Sequence, residues 1–150
     1  MKALVLTLLF LFIAANEAIQ YSRCGLASIL KRNGMDGYYG YSLGILANWI
    51  CIAYYESRYK SGAVGPCNSK GSRDYGIFQI NSRWWCNNNE GRTANGSQKP
   101  CSAFTNDDIT DDIACAKRIV RDPQRMNAWV PWRNNCKGRN LSKWTSGCRL

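Results

Sequence analysis

The sequence predicts an α+β fold, in which a helical lobe and a small antiparallel β lobe face each other across a cleft and are stapled by disulfides. Three observations carry this expectation. Apolar residues recur at helical spacing near both ends of the chain, a turn-rich stretch with one alternating segment lies between them, and eight cysteines stand in a chain of only 150 residues.

In chain order, Lys2 is followed by the apolar run from Ala3 to Ala15 and by Asn16-Glu17-Ala18. That is the layout of a secretory leader cut after Ala18, and the run is too short to cross a bilayer. The mature chain would be residues 19–150, one domain with a core of its own. Residues 24–32 place Leu26, Ile29 and Leu30 on one helical face and stop at Asn33-Gly34. A second helix beginning near Ser42 would bury Leu46, Trp49, Ile50 and Ala53, which puts Glu56 in its last turn. Residues 61–101 read as Gly, Asn, Ser and Lys-rich turns around the alternating stretch 73–80, with a hairpin turn at residues 68–71 and a long irregular loop after it. Helical spacing returns after Asn106 through Ile109, Ile113, Ala116 and Val120, with acids early and bases late, and Pro123 closes it. Pro131 suits the first turn of a short helix over residues 130–136. The helical lobe would therefore span about 19–57 and 103–150, and the β lobe about 58–102.

Composition removes several chemistries. With no histidine, the Ser-His-Asp and Cys-His nucleophile systems are excluded and the commonest zinc ligand is missing, so carboxylates remain as the acid-base groups. Eight cysteines in a small exported chain imply disulfides formed in an oxidising compartment, in a connectivity that spacing alone leaves open. The formal charge of +10 suits a polyanionic partner such as a bacterial wall polymer, an anionic membrane or, without specificity, nucleic acid.

Two carboxylates stand in unlike company. Glu56 sits in Cys51-Ile-Ala-Tyr-Tyr-Glu56-Ser, among apolar and aromatic side chains, whereas Asp74, among polar ones, opens the run Asp74-Tyr75-Gly76-Ile77-Phe78-Gln79-Ile80-Asn81-Ser82-Arg83-Trp84-Trp85-Cys86. Glycoside hydrolysis needs this asymmetry, because one group must keep a proton for the leaving oxygen while the other stays ionised to attack or stabilise the sugar cation. A lone glutamate near a helix end is usually a solvated charge, and paired tryptophans are usually core. Only the joint occurrence lifts these residues above such readings.

Together with Met126-Asn127-Ala128-Trp129-Val130, both runs closely resemble the c-type lysozymes of the lysozyme and α-lactalbumin family, and the resemblance covers residues 24–150. It implies the lysozyme-like α+β fold, with Glu56 as general acid, Asp74 as nucleophile or cation stabiliser, and Trp129 as the indole that desolvates the acid. Lysozyme is itself the established example of such a carboxylate pair. It further implies Trp84 and Trp85 as stacking platforms, and Gln79, Asn81, Asp122, Asn127, Ala128 and Val130 as subsite residues. The implied reaction is retaining cleavage of the β-1,4 bond between N-acetylmuramic acid and N-acetylglucosamine in bacterial peptidoglycan, by a secreted monomer with no specific nucleic-acid partner. No cofactor is required for it. The stretch 103–112 also resembles the calcium loop of the family's metal-binding members, with carboxylates from Asp111 and Asp112, backbone oxygens from Ala103 and Asp108, and Asn106 where a third acid usually stands. The alternative readings are an α-lactalbumin-like regulatory protein, which typically lacks the acid pair, and a non-catalytic cationic antimicrobial.

The resemblance pairs Cys24 with Cys148, Cys51 with Cys136 and Cys86 with Cys101. It leaves Cys115 without its usual partner, near whose place Ser97 stands, and Cys67 as an extra. About three residues are inserted around Gly44-Ile45-Leu46-Ala47-Asn48-Trp49, and Asn95-Gly96-Ser97 and Asn140-Leu141-Ser142 fit the N-glycosylation pattern.

Overall fold

The structure, a computed structural model, describes residues 17–40 and 45–150. Most of the expected leader, the expected helix start at Ser42, and Gly44 at the head of the insertion lie outside these residues.

Helix α1 (Arg23–Arg32) begins where Ser22 accepts a hydrogen bond from the Gly25 amide at 3.0 Å, and ends at Asn33 beside Gly34, whose φ is 74°. Only glycine adopts that left-handed turn without strain. Its inner face, Leu26, Ala27 and Leu30, is fully buried against α2 (Ile45–Ser57), where Trp49, Ile50, Cys51, Ile52 and Ala53 are all 0 % exposed. A helix apolar on nearly every side belongs in the centre of a domain. Glu56 therefore rides the last turn of the most buried helix. The helix stops at Arg58 and Tyr59, both with positive φ, and the chain passes on to Lys60, which bridges to Gln20, while the Ile19 amide donates to the Ser61 hydroxyl at 2.8 Å.

The β lobe holds one reversal more than the sequence suggests. The loop over residues 68–72 is present, closed by the Asn68 amide on the Ser72 carbonyl at 2.7 Å, and Val64 bridges to Tyr75. The alternating stretch 73–80 is not one strand, however. It turns back on itself at Gly76 and Gln79, so that β1 (Asp74–Tyr75) pairs antiparallel with β2 (Ile80–Asn81). No polar tip marks the turn, because Ile77 and Phe78, adjacent there, are both buried in the helical core rather than solvated. The loop beyond is also less irregular than expected, since β3 (Cys86–Asn87) runs parallel to β4 (Lys99–Pro100).

After a 3₁₀ turn (Cys101–Phe104), α3 (Thr110–Ile119) starts later than the spacing after Asn106 predicts, because Asn106 and Asp108 spend their side chains on amides two residues ahead. Such local bonds compete with helix. A second 3₁₀ turn (Arg125–Ala128), helix α4 (Val130–Asn135), with a proline in its first turn, and a last 3₁₀ turn (Ser142–Trp144) complete the chain. One hydrophobic cluster runs through α1 to α4 and takes in Ile77, Phe78 and Ile80 of the β lobe.

Disulfides join Cys24 to Cys148, Cys51 to Cys136 and Cys86 to Cys101, leaving Cys67 exposed and Cys115 buried as free thiols. Burial pushes the Cys115 thiol up to about 12, so it resists ionisation and attack. Thiol titration is therefore expected to find one fast-reacting group in the native protein, at Cys67, and a second only after unfolding. Two fast thiols, or none, would contradict this arrangement.

Candidate active site

A cleft of about 860 Å³ opens between the lobes, lined by Glu56, Asp74, Gln79, Asn81, Trp84, Trp85, Asp122, Ala128, Trp129 and Val130 among the residues expected from sequence. Asn127 does not line it. The Asn127 side-chain oxygen accepts from Lys137 Nζ at 2.9 Å instead.

Three hydrogen bonds and one ring contact fix where the two acids stand. Next to Glu56, the Ser57 hydroxyl donates to the Ile77 carbonyl at 2.8 Å, so the end of α2 is tied to the tip of the β1–β2 turn. Trp129 is 5 % exposed, donates from Nε1 to the Phe78 carbonyl at 2.9 Å, and meets Trp49 edge to face with centroids 5.4 Å apart. A buried indole N–H that reaches a backbone carbonyl satisfies its polar atom while its ring walls the cleft. Asp74 in turn faces its cross-strand partner Asn81, whose Nδ2 donates to Asp74 Oδ1 at 2.9 Å.

These surroundings separate the acids. Burial pushes Glu56 up to about 8, with the charge of Asp74 as a second cause. Asp74 is also raised by burial, but the Asn81 hydrogen bond opposes the shift by favouring the carboxylate. Polar company thus keeps Asp74 the stronger acid without returning it to its ordinary value.

Several side chains shape the walls rather than hang free. Gln79, at φ 50°, spends its amide nitrogen on the carbonyls of Gly76 (3.0 Å) and Ala63 (3.2 Å), closing the turn. Trp84 is 56 % exposed, with the Arg83 guanidinium 4.5 Å from its ring centre. Asp122 is held by Arg118 at 2.7 Å, and the same guanidinium lies 5.5 Å from the Trp85 ring centre. Arg118 and Gln124 are lining residues that the sequence reading missed, although the four-residue spacing of Arg118 and Asp122, at the end of the helix expected to close at Pro123, signals their pairing.

The acidic loop ahead of α3 is divided. Asp108 accepts from the Thr110 amide and hydroxyl, which holds its carboxyl below the usual range. Asp111 pairs with Lys99 at 3.1 Å. Asp112 is fully buried with neither carboxylate oxygen hydrogen-bonded, and burial pushes it up to about 9; the amides of Asp112 and Ile77 favour its ionised form without closing a bond. Among the described residues no three acidic, histidine or cysteine side chains converge on a point where they could hold a metal.

Comparison with known proteins agrees with the geometry. The chain is 54 % identical to the milk isozyme of lysozyme C from Canis lupus familiaris, over 87 % of this chain and 98 % of that one. It is 52 % identical to lysozyme C-1 from Anas platyrhynchos over the whole of both. The crystal structure of recombinant canine milk lysozyme in its apo form superposes with a TM-score of 0.83 at 53 % identity, over 88 % of this chain and all of that one. Residues 19–148 match the family model described as C-type lysozyme/alpha-lactalbumin, and the chain belongs to that family.

Proposed function

We propose that the chain is a lysozyme in which Glu56 protonates the glycosidic oxygen between N-acetylmuramic acid and N-acetylglucosamine of bacterial peptidoglycan. The observation that carries this reading is the split pair, with Glu56 keeping its proton up to about pH 8 beside an Asp74 that Asn81 helps to ionise. As the C–O bond breaks, the leaving oxygen takes the Glu56 proton and Asp74 attacks or shields the developing cation from the opposite face of the ring. Water then enters, losing a proton to the Glu56 carboxylate, and the anomeric configuration is retained. Trp84 and Trp85 supply ring faces for the sugars, with Asp122, Ala128 and Val130 along the same wall. Gln79 and Asn81 serve chiefly by holding the turn and Asp74.

Activity requires Asp74 ionised and Glu56 protonated, so the rate is expected to rise as Asp74 titrates, above the ordinary aspartate value, and to fall through about pH 8 as Glu56 ionises. Clearing of a bacterial-wall suspension across pH at fixed ionic strength reads both limbs. An alkaline limb near pH 5 would contradict the assignment of the acid.

Residues 1–18 act as the secretory leader, a reading supported by the start of the family match at residue 19, and the mature domain works outside the cell as a monomer. Among the described residues no helix is long and apolar enough to cross a membrane. The chemistry needs no cofactor. A structural calcium ion at the acidic loop fits only as a weak ligand. Asp112 offers a buried carboxyl whose oxygens lack partners, with Asp111, Asn106 and the Ala103 and Asp108 carbonyls as the other donors, but Asp112 must first lose its proton, Lys99 must leave Asp111, and Asn106 brings no charge. Fewer ligand charges put such a site at about millimolar affinity. The thermal midpoint is then expected to rise in millimolar calcium relative to chelator; an unchanged midpoint would assign the aspartates to helix capping alone.

A further inference from the structure

Away from the cleft, a second concavity of about 480 Å³ lies between Tyr55 of α2, Asn135 at the end of α4 and the last 3₁₀ turn. It shares no lining residue with the cleft. Tyr55 and Trp144 form its aromatic back, with ring centres 6.0 Å apart and planes at 71°, and Trp144 is 7 % exposed. Among the described residues, the only charged groups lining it are two cations, Arg139 and Lys143. Lys143 Nζ stands 4.9 Å from the Trp144 ring centre, while the Arg139 guanidinium is steadied by a 3.2 Å bond from Nη2 to the Asn134 carbonyl.

We propose that this concavity is an anion-recognising subsite for the phosphodiester groups of the polyol-phosphate polymers carried by bacterial walls, so that the enzyme holds the wall at two points. The proposal rests on the reading of peptidoglycan as substrate. A planar, steadied guanidinium and a neighbouring ammonium match the oxygens of a phosphodiester. Asn135 and the aromatic back suit the polyol or sugar between phosphates. Insertion into a membrane is disfavoured, because the large apolar side chains that are exposed among the described residues, Ile19, Tyr39, Val64, Trp84, Val130 and Leu150, all lie outside this lining. A second grip raises the effective concentration of glycan at the cleft without adding a contact there.

The test compares the mature protein with the double variants R139A/K143A and K31A/R32A, the latter removing two exposed cations elsewhere. Each is titrated at fixed ionic strength with soluble poly(ribitol phosphate) and with phosphatidylglycerol vesicles, and assayed on a soluble N-acetylglucosamine oligosaccharide. The cavity doublet is expected to raise the polymer Kd by about tenfold, against less than about threefold for the control, as loss of a specific rather than a diffuse charge contact. Oligosaccharide turnover should be unchanged, which also shows that the doublet folds; if it does not fold, K143E alone must give the same loss of polymer binding. Equal weakening by both doublets, or a loss confined to vesicles, would overturn the proposal. Because binding is read without turnover, inactivity of the parent on walls would overturn the peptidoglycan reading and leave the subsite result standing.

Discussion

Replacing Glu56 by Gln is expected to lower turnover on bacterial walls by a factor on the order of 10²–10⁴, the usual contribution of a positioned general acid. That corresponds to about 3–5 kcal/mol of barrier. The amide matches the acid in shape but has no acidic proton to give to the leaving oxygen. At neutral pH the exchange replaces one neutral group with another, since Glu56 holds its proton up to about 8. Folding should therefore survive, and the alkaline range should show a gain. A carboxyl raised from 4.5 in the unfolded chain to about 8 in the fold contributes stability that is fully present below pH 4.5 and is lost as pH rises through 8. The amide of the Glu56→Gln variant does not titrate, so above pH 8 that variant should melt higher than the parent while remaining inactive. Retained lysis would remove Glu56 from the mechanism and favour a membrane-directed antimicrobial.

Gly76→Ala is expected to destabilise the fold by about 2–4 kcal/mol, on the order of 10 °C in the melting midpoint, with loss of activity. At φ 79° the residue occupies a region that side chains rarely adopt, and a Cβ there would stand 2.0 Å from the Phe104 carbonyl oxygen and 2.4 Å from Asp112 Oδ2. Backbone oxygen cannot step aside. The turn would have to move, and with it Asp74 on one side and Gln79 on the other. Gly71→Ala separates the causes, because its φ is 84° but nothing lies within 4 Å of the added carbon. Strain alone should cost about 1 kcal/mol there. Equal effects at the two positions would mean that crowding against Phe104 is not what Gly76 avoids.

Helices α1 and α4 are legible from period, caps and proline placement, and α3 from its period, although its start at Thr110 is delayed by the Asn106 and Asp108 side chains. The Gly76–Gln79 reversal is not legible, because its tip residues Ile77 and Phe78 are apolar and buried, so no solvated tip marks the turn in the sequence. Burial of Asp112 is equally hidden. It neighbours Asp111, of the same chemistry, and only the helical rotation between them sends one to Lys99 and the other into the core. Glu56 is readable as the protonated partner from its apolar neighbours. The upward displacement of Asp74 is not, since its neighbours in sequence are polar and its burial arises only in the folded cleft. Asn127 carries a subsite motif, but its side chain turns to Lys137, whose position depends on the chain beyond α4.

The central claim is that the cleft keeps Glu56 protonated beside an ionised Asp74, and carbon-13 NMR titration of the glutamate carboxyl carbons in the parent and in Asp74→Asn tests it most directly. The chain has three glutamates, and Glu56 need be told only from the exposed Glu17 and Glu90. One glutamate is expected to titrate near 8 in the parent and lower in Asp74→Asn, because the aspartate charge is part of the cause while burial remains. A Glu56 midpoint near 4.5, or one that does not move when Asp74 loses its charge, would contradict the claim.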